Sequence, residues 1–165
     1  MAFVTDDQVI KRLVILIADS KSYSRALVRS MLLQLEVRKI HEASDGAAAV
    51  DAVIATNPDV MILDWDISVL SAREVLSMAR NPSLNPNPDL PVIVIASSGH
   101  AGHVHEALEL GARQFMVRPI SPKMLGQRLI GIVKDARKTA MAYKRGVQTL
   151  APGGEAQRLV RSSAT

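Results

Sequence analysis

With 165 residues, 48% of them apolar but only 3% aromatic, the chain can bury one aliphatic core with little more than an appendage beside it. It has no cysteine, which excludes disulfides and thiolate chemistry and suits a cytoplasmic location. The net charge of +4 is uneven: from Lys134 onward seven basic residues face only Asp135 and Glu155, so that segment carries +5 and the rest −1. A nearly neutral globular part lends no support to nucleic-acid binding by the core. No apolar run approaches the roughly 20 residues that span a bilayer, and Asp6-Asp7 stands where a signal peptide needs cations.

Residues 1–12 are expected to form a leader, with Asp6-Asp7 solvated. A first buried strand covers 13–18 and ends at Asp19-Ser20. Ser22 or Ser24 can N-cap the next helix, whose apolar positions Ala26, Leu27, Met31, Leu32 and Leu35 recur at helical spacing. A short strand follows over 39–43, then the turn Ser44-Asp45-Gly46 and an alanine-rich helix over 47–55. The third strand, from Asp59 to Asp64, is a short unbroken apolar run ending in a carboxylate, as suits a strand buried on both faces. A loop and a helix over 71–80 come next, followed by a segment over 81–88 whose three prolines forbid regular structure.

A fourth strand covers 92–96, and a fourth helix runs to Leu110 with Gly111 as its C-cap. A fifth strand over 114–117 leads into Arg118-Pro119. Ser121-Pro122 opens the last helix with proline in its first turn, and its pattern persists to Tyr143. The folded unit is therefore expected over 13–144, with a flexible basic tail over 145–165 that has room for a weak helix over 155–160.

Five strands alternating with helices imply an α/β fold with a parallel sheet and helices on both faces. The flavodoxin-like order 2-1-3-4-5 is the common five-strand solution, with its switch point between strands one and three. Those strands end at Asp19 and Asp64. Two neighbouring carboxylates can hold a hard cation such as magnesium, and an aspartate can accept a phosphoryl group as a nucleophile. A basic residue after the fifth strand would then balance the incoming charge.

From residue 13 to 132 the chain resembles the receiver domain of two-component response regulators. The resemblance is carried by Asp19 after strand one, Arg25, Glu42-Ala43 before Asp45-Gly46, Asp64-Trp65, Leu90-Pro91, Gly111-Ala112 and Arg118-Pro119, in that order. It implies that Asp64 is the phosphoacceptor, that Asp19 belongs to an acidic magnesium pocket, that Arg118 contacts phosphate, and that the Arg118–Pro119 peptide is cis.

The departures from the family pattern concentrate in the same place. Ser20 replaces the second of two adjacent acids, which should weaken magnesium binding. Sliding the register to make Asp19 the second acid would spoil the match at Arg25. Asp66 could add a carboxylate, although a two-residue offset in an ordinary turn points it at water. Ala96 stands where the family has a Thr or Ser hydroxyl, with Ser97 next to it able to substitute only through a local bulge. Arg118 replaces a lysine, a planar fork for a compact ammonium. Ser68 replaces a proline, and Ser71-Ala72 replaces Asp-Gly, so the loop after Asp64 should take a different path. Phe115 holds the aromatic switch position without a tyrosine hydroxyl. Trp65 is expected partly exposed at the pocket mouth, and His100, His103 and His105 are expected to face solvent.

The leading expectation is a stand-alone, divergent receiver that is not an enzyme, with phosphorylation at Asp64 impaired and the magnesium site weak or absent. Its upstream partner would be a sensor histidine kinase or phosphotransfer protein. Downstream it would bind a protein through the face of the fourth helix, fifth strand and last helix; a homodimer is a further partner. The tail has a single aromatic, Tyr143, and no helix-turn-helix pattern, which favours a solvated or partner-binding tail over a nucleic-acid one. The alternative is a fully working magnesium-dependent switch in which Asp66 and Ser97 substitute. A flavodoxin-like enzyme or nucleotide binder would need a Gly-rich loop after strand one, where Asp19-Ser20-Lys21-Ser22 has no glycine.

Overall fold

A computed structural model describes residues 4–149, with side chains as far as residue 142. The elements are α1 (Asp6–Ile10), β1 (Val14–Ala18), α2 (Ser22–Gln34), β2 (Lys39–Ala43), α3 (Gly46–Thr56), β3 (Val60–Asp64), α4 (Ala72–Arg80), β4 (Val92–Ala96), α5 (Ala101–Glu109), β5 (Gln114–Val117) and α6 (Pro122–Thr149). The five strands form one parallel sheet in the order β2-β1-β3-β4-β5, the expected topology.

Alternation along the strands builds two cores. Leu16, Met61, Leu63, Val92 and Val94 face one side, where Val53 of α3, Val75 and Leu76 of α4 and Ala107 of α5 cover them. Ile15, Ile17, Ile62, Ile93, Ile95 and Met116 face the other, under Ile10 of α1, Val28 and Leu32 of α2 and Leu125, Leu129 and Ile132 of α6. All five positions of β3 and of β4 are buried, so their carboxyl ends emerge from the middle of the sheet. β2 is an edge, with Lys39, His41 and Glu42 exposed as befits an unpaired flank.

The loops are pinned by polar groups. The Arg80 guanidinium donates to the carbonyls of Pro88, Leu90 and Gly111, fixing the proline-rich segment against the turn before β5. Asn85, buried in that segment, donates to the carbonyls of Ala79 and Asn87. Gly46 has no room for a side chain, since a Cβ there would lie 2.2 Å from the Leu70 carbonyl oxygen. This close approach seats the start of α3 against the loop after β3.

Three features differ from the sequence reading. The segment expected as a solvated leader contains α1, closed by a Thr5–Gln8 capping box, with two acids in the first turn where the helix dipole favours them. Its Ile10 is buried, and Asp6 pairs with Arg137 and Lys134 of α6. The N-cap of α2 is Lys21 rather than a serine. Helix α6 runs to Thr149, so the first residues of the expected tail are helical; the remainder of the tail, including 155–160, lies outside the described residues.

Truncating Ile10 should remove the anchor of α1. Ile10→Ala is expected to cost about 2–3 kcal/mol in urea unfolding, whereas Asp6→Ala, which loses only half-exposed ion pairs, should cost clearly less. Equal losses, or no loss at Ile10, would mean that α1 is not docked as described.

Candidate functional site

The carboxyl edge of the sheet gathers four polar side chains from three strand ends and one helix. Asp19 follows β1, Asp64 closes β3, Arg118 follows β5, and Ser24 lies in the first turn of α2. Both carboxylates are buried, with side chains 4% exposed, while Arg118 is 28% exposed. Its guanidinium is a fork between them: Nη1 donates to Asp64 Oδ1 at 2.9 Å, and Nη2 donates to Asp19 Oδ2 at 3.1 Å and to Ser24 Oγ at 3.0 Å. The other oxygen of Asp19 accepts the Lys21 backbone N–H at 2.8 Å, and Arg25 donates to the Asp19 carbonyl. β4 lies between β3 and β5, so the Arg118 side chain spans the end of β4, where the register sets Ala96 against Val117.

Burial and the neighbouring charge of Asp19 hold the Asp64 carboxyl above the usual range; the hydrogen bond and charge of Arg118 oppose this, and Asp66 adds a smaller push upward. A buried carboxyl pair sharing one cation is thus under-neutralised.

The other predicted residues are distributed around this centre. Ser20 meets Ser68, Oγ to Oγ at 2.8 Å, and its Oγ also accepts the Ser68 backbone N–H at 2.8 Å. The Ser68 carbonyl in turn accepts the Gly46 N–H. Two of the departures from the receiver pattern therefore touch each other. The adjoining Val69, exposed, has φ of 72°, a strained setting for a β-branched residue. Asp66 is exposed. Ala96 is buried in the core under α3, α4 and α5, and Ser97 is exposed just beyond the strand. The Arg118–Pro119 peptide is cis.

Trp65 is not at an open mouth. It is only 6% exposed, its ring lies 5.4 Å from that of His103 and 6.4 Å from that of Phe115, and the Arg73 guanidinium sits over it at 4.8 Å. Arg73 is also paired with Glu106, so α4 and α5 are clasped across the indole. Of the three histidines expected in solvent, His103 packs inward on Trp65, while His105 is exposed and 3.0 Å from Glu109.

A model of the response regulator receiver domain matches residues 15–130, most of the chain and all five strands. The chain belongs to that family. The protein-glutamate methylesterase/protein-glutamine glutaminase 1 of Myxococcus xanthus (strain DK1622) is 31% identical over 150 residues, which are 86% of this chain and 42% of that enzyme. A chemotaxis protein CheY homolog of Campylobacter jejuni is 27% identical over 117 residues, 70% of this chain and 88% of its own length. In fold, the chemotaxis response regulator CheY4 of Vibrio cholerae superposes with a TM-score of 0.64 at 22% identity, over 72% of this chain and 96% of that one.

Receiver domains generally bind magnesium at the phosphorylation site, but the side chains of this one do not suit it as arranged. Arg118 already bridges the two buried acids, and Ser20 offers a neutral hydroxyl engaged by Ser68. Sequence reasoning missed Ser24 as a site residue, reading it as a helix cap; one α-helical turn after Ser20, its position facing the strand ends was the available signal.

The raised Asp64 value has a thermodynamic sign. The folded state takes up that proton at a higher pH than the unfolded chain, so stability from this group is greatest below the ordinary Asp range and is lost as pH rises through the raised folded value. Asp64→Asn keeps an acceptor for Arg118 and removes the burdened charge. It is expected to melt above the wild type at neutral pH, with the gap narrowing as the pH falls toward the ordinary Asp range. A variant less stable at neutral pH would contradict this.

Proposed function

We propose that the chain is a divergent, cytoplasmic receiver of a two-component pathway that transmits by binding another protein, with phosphoryl acceptance at Asp64 impaired. The observation that supports this best is the fork of Arg118 between Asp64 and Asp19. In phosphoryl transfer an Asp64 carboxylate oxygen would attack phosphorus as the donor's bond to phosphorus breaks, leaving an acyl phosphate and the departed donor group. Three of the five Arg118 N–H donors are already spent on Asp64, Asp19 and Ser24, which leaves fewer to meet the new phosphoryl oxygens. Ala96 has no hydroxyl to add.

The upstream partner under this reading is a sensor histidine kinase or phosphotransfer protein. The downstream partner would dock on the face of α5, β5 and α6, which is the fourth helix, fifth strand and last helix of the sequence reading. Trp65 supports that assignment, because it follows Asp64 directly and packs on His103 of α5 and Phe115 of β5. A shift of β3 at its carboxyl end would be felt in that face through contact rather than through a hydroxyl switch. The methylesterase of Myxococcus extends well beyond the region shared with this chain, so its esterase chemistry does not carry over.

Incubation with a small phosphodonor and magnesium, followed by intact-mass measurement, tests the impairment. The expected result is substoichiometric addition at most. Stoichiometric gain of one phosphoryl group, absent in Asp64→Asn, would favour instead the fully working switch, with exposed Asp66 and Ser97 recruited to the site.

A further inference from the structure

We propose that the Arg118 guanidinium is the resident cation of this site, taking the place of a divalent metal ion, so that the site is assembled and stable without one. The proposal rests on the receiver reading above, since that reading makes a metal the alternative occupant.

The geometry suits a fork and not a point charge. One guanidinium reaches Asp64 Oδ1 and Asp19 Oδ2 with two separate nitrogens and still donates to Ser24. A lysine ammonium concentrates its donors on one atom and could not span the two acids and the hydroxyl in the same way. The second Asp19 oxygen accepts the Lys21 N–H, so both oxygens of that carboxylate accept from protein donors.

Charge leads to the same assignment. The two buried carboxylates carry −2, and Arg118 brings the trio to −1. A divalent cation added to that trio would overshoot to +1 in a site whose acids are 4% exposed, whereas a divalent cation replacing Arg118 would give zero. Metal and guanidinium are therefore competitors for the same pair of carboxylates. Asp66 is exposed and contributes only at a distance.

The surrounding loops also need no metal to tie them. The Ser20–Ser68 hydroxyl contact joins the loop after β1 to the loop after β3, and the Ser68 carbonyl receives the Gly46 N–H at the start of α3. The neutral hydroxyl at position 20, where the family has an acid, is thus engaged by Ser68, while Arg118 supplies the charge between the two acids that remain.

Competition makes a test in which the metal response appears only after Arg118 is changed. Thermal unfolding of the full chain is measured in chelator and in millimolar magnesium at matched ionic strength, with Trp65 fluorescence recorded in parallel. The wild type is expected to show the same Tm and the same emission in both. Arg118→Gln is expected to melt lower in chelator and to regain several degrees in magnesium, because a ligand bound only by the folded state stabilises it. Arg118→Lys keeps the charge on one atom and should fall between the two, and it serves if the neutral variant does not fold. A wild-type Tm that rises with magnesium would overturn the proposal, as would variants that gain nothing from it. Phosphoryl incorporation is read separately by mass. A magnesium-silent wild type that is fully phosphorylated would sink only the impairment, and a magnesium-responsive one that resists phosphorylation only the resident cation.

Discussion

Two carboxylates buried side by side cannot both stay charged without a cation between them, and the carboxyl edge of this sheet is built around that constraint. Asp19 and Asp64 arrive there because strands one and three are neighbours in the 2-1-3-4-5 order. Arg118 arrives from the far side of β4 and closes the pair with hydrogen bonds of 2.9 and 3.1 Å. Removing the cation from such a buried arrangement typically costs roughly 3–5 kcal/mol, because both carboxylates are left unpaired. The raised Asp64 value shows that one guanidinium does not fully offset burial and the second acid.

Around that centre the fold supplies rigidity on two sides. Ser20, Ser68 and Gly46 knit the loops above it with neutral hydrogen bonds. Trp65, one residue beyond Asp64, is enclosed by Arg73, His103 and Phe115 and connects the site to α4, α5 and β5 by packing. The site is thus joined to the surface proposed for partner binding even though the strand-four hydroxyl of the family is absent at Ala96.

Much of this was legible in the chain. Strands of unbroken Val, Ile and Leu between helical patterns specify a parallel sheet buried on both faces, and the observed β2, β4 and β5 cover the expected residues. β1 and β3 each begin one residue later than expected, at Val14 and Val60, and Asp59 joins the two strand starts through its carboxylate and its N–H, both on the Val14 backbone. The strand-end position of Asp19, Asp64 and Arg118 was also readable, since topology alone brings those ends together. What was not readable depended on side-chain direction. That Ser20 would turn to Ser68, that Ser24 would join the Arg118 fork rather than cap α2, and that Trp65 would be covered by Arg73 and His103 are outcomes of packing between residues far apart in sequence. The helix α1 escaped for a related reason: five residues carry too weak a periodicity to announce a helix, and burial of Ile10 with the residues of α6 anchors it.

A crystal structure of the wild-type chain grown with millimolar magnesium and a phosphoryl mimic would test most directly whether Arg118 is the cation on which the site depends. The account predicts that the guanidinium still bridges Asp19 and Asp64, with Ser20 on Ser68 and no metal between the carboxylates. A metal ion bound to both aspartates, with Arg118 swung away onto the mimic, would contradict it.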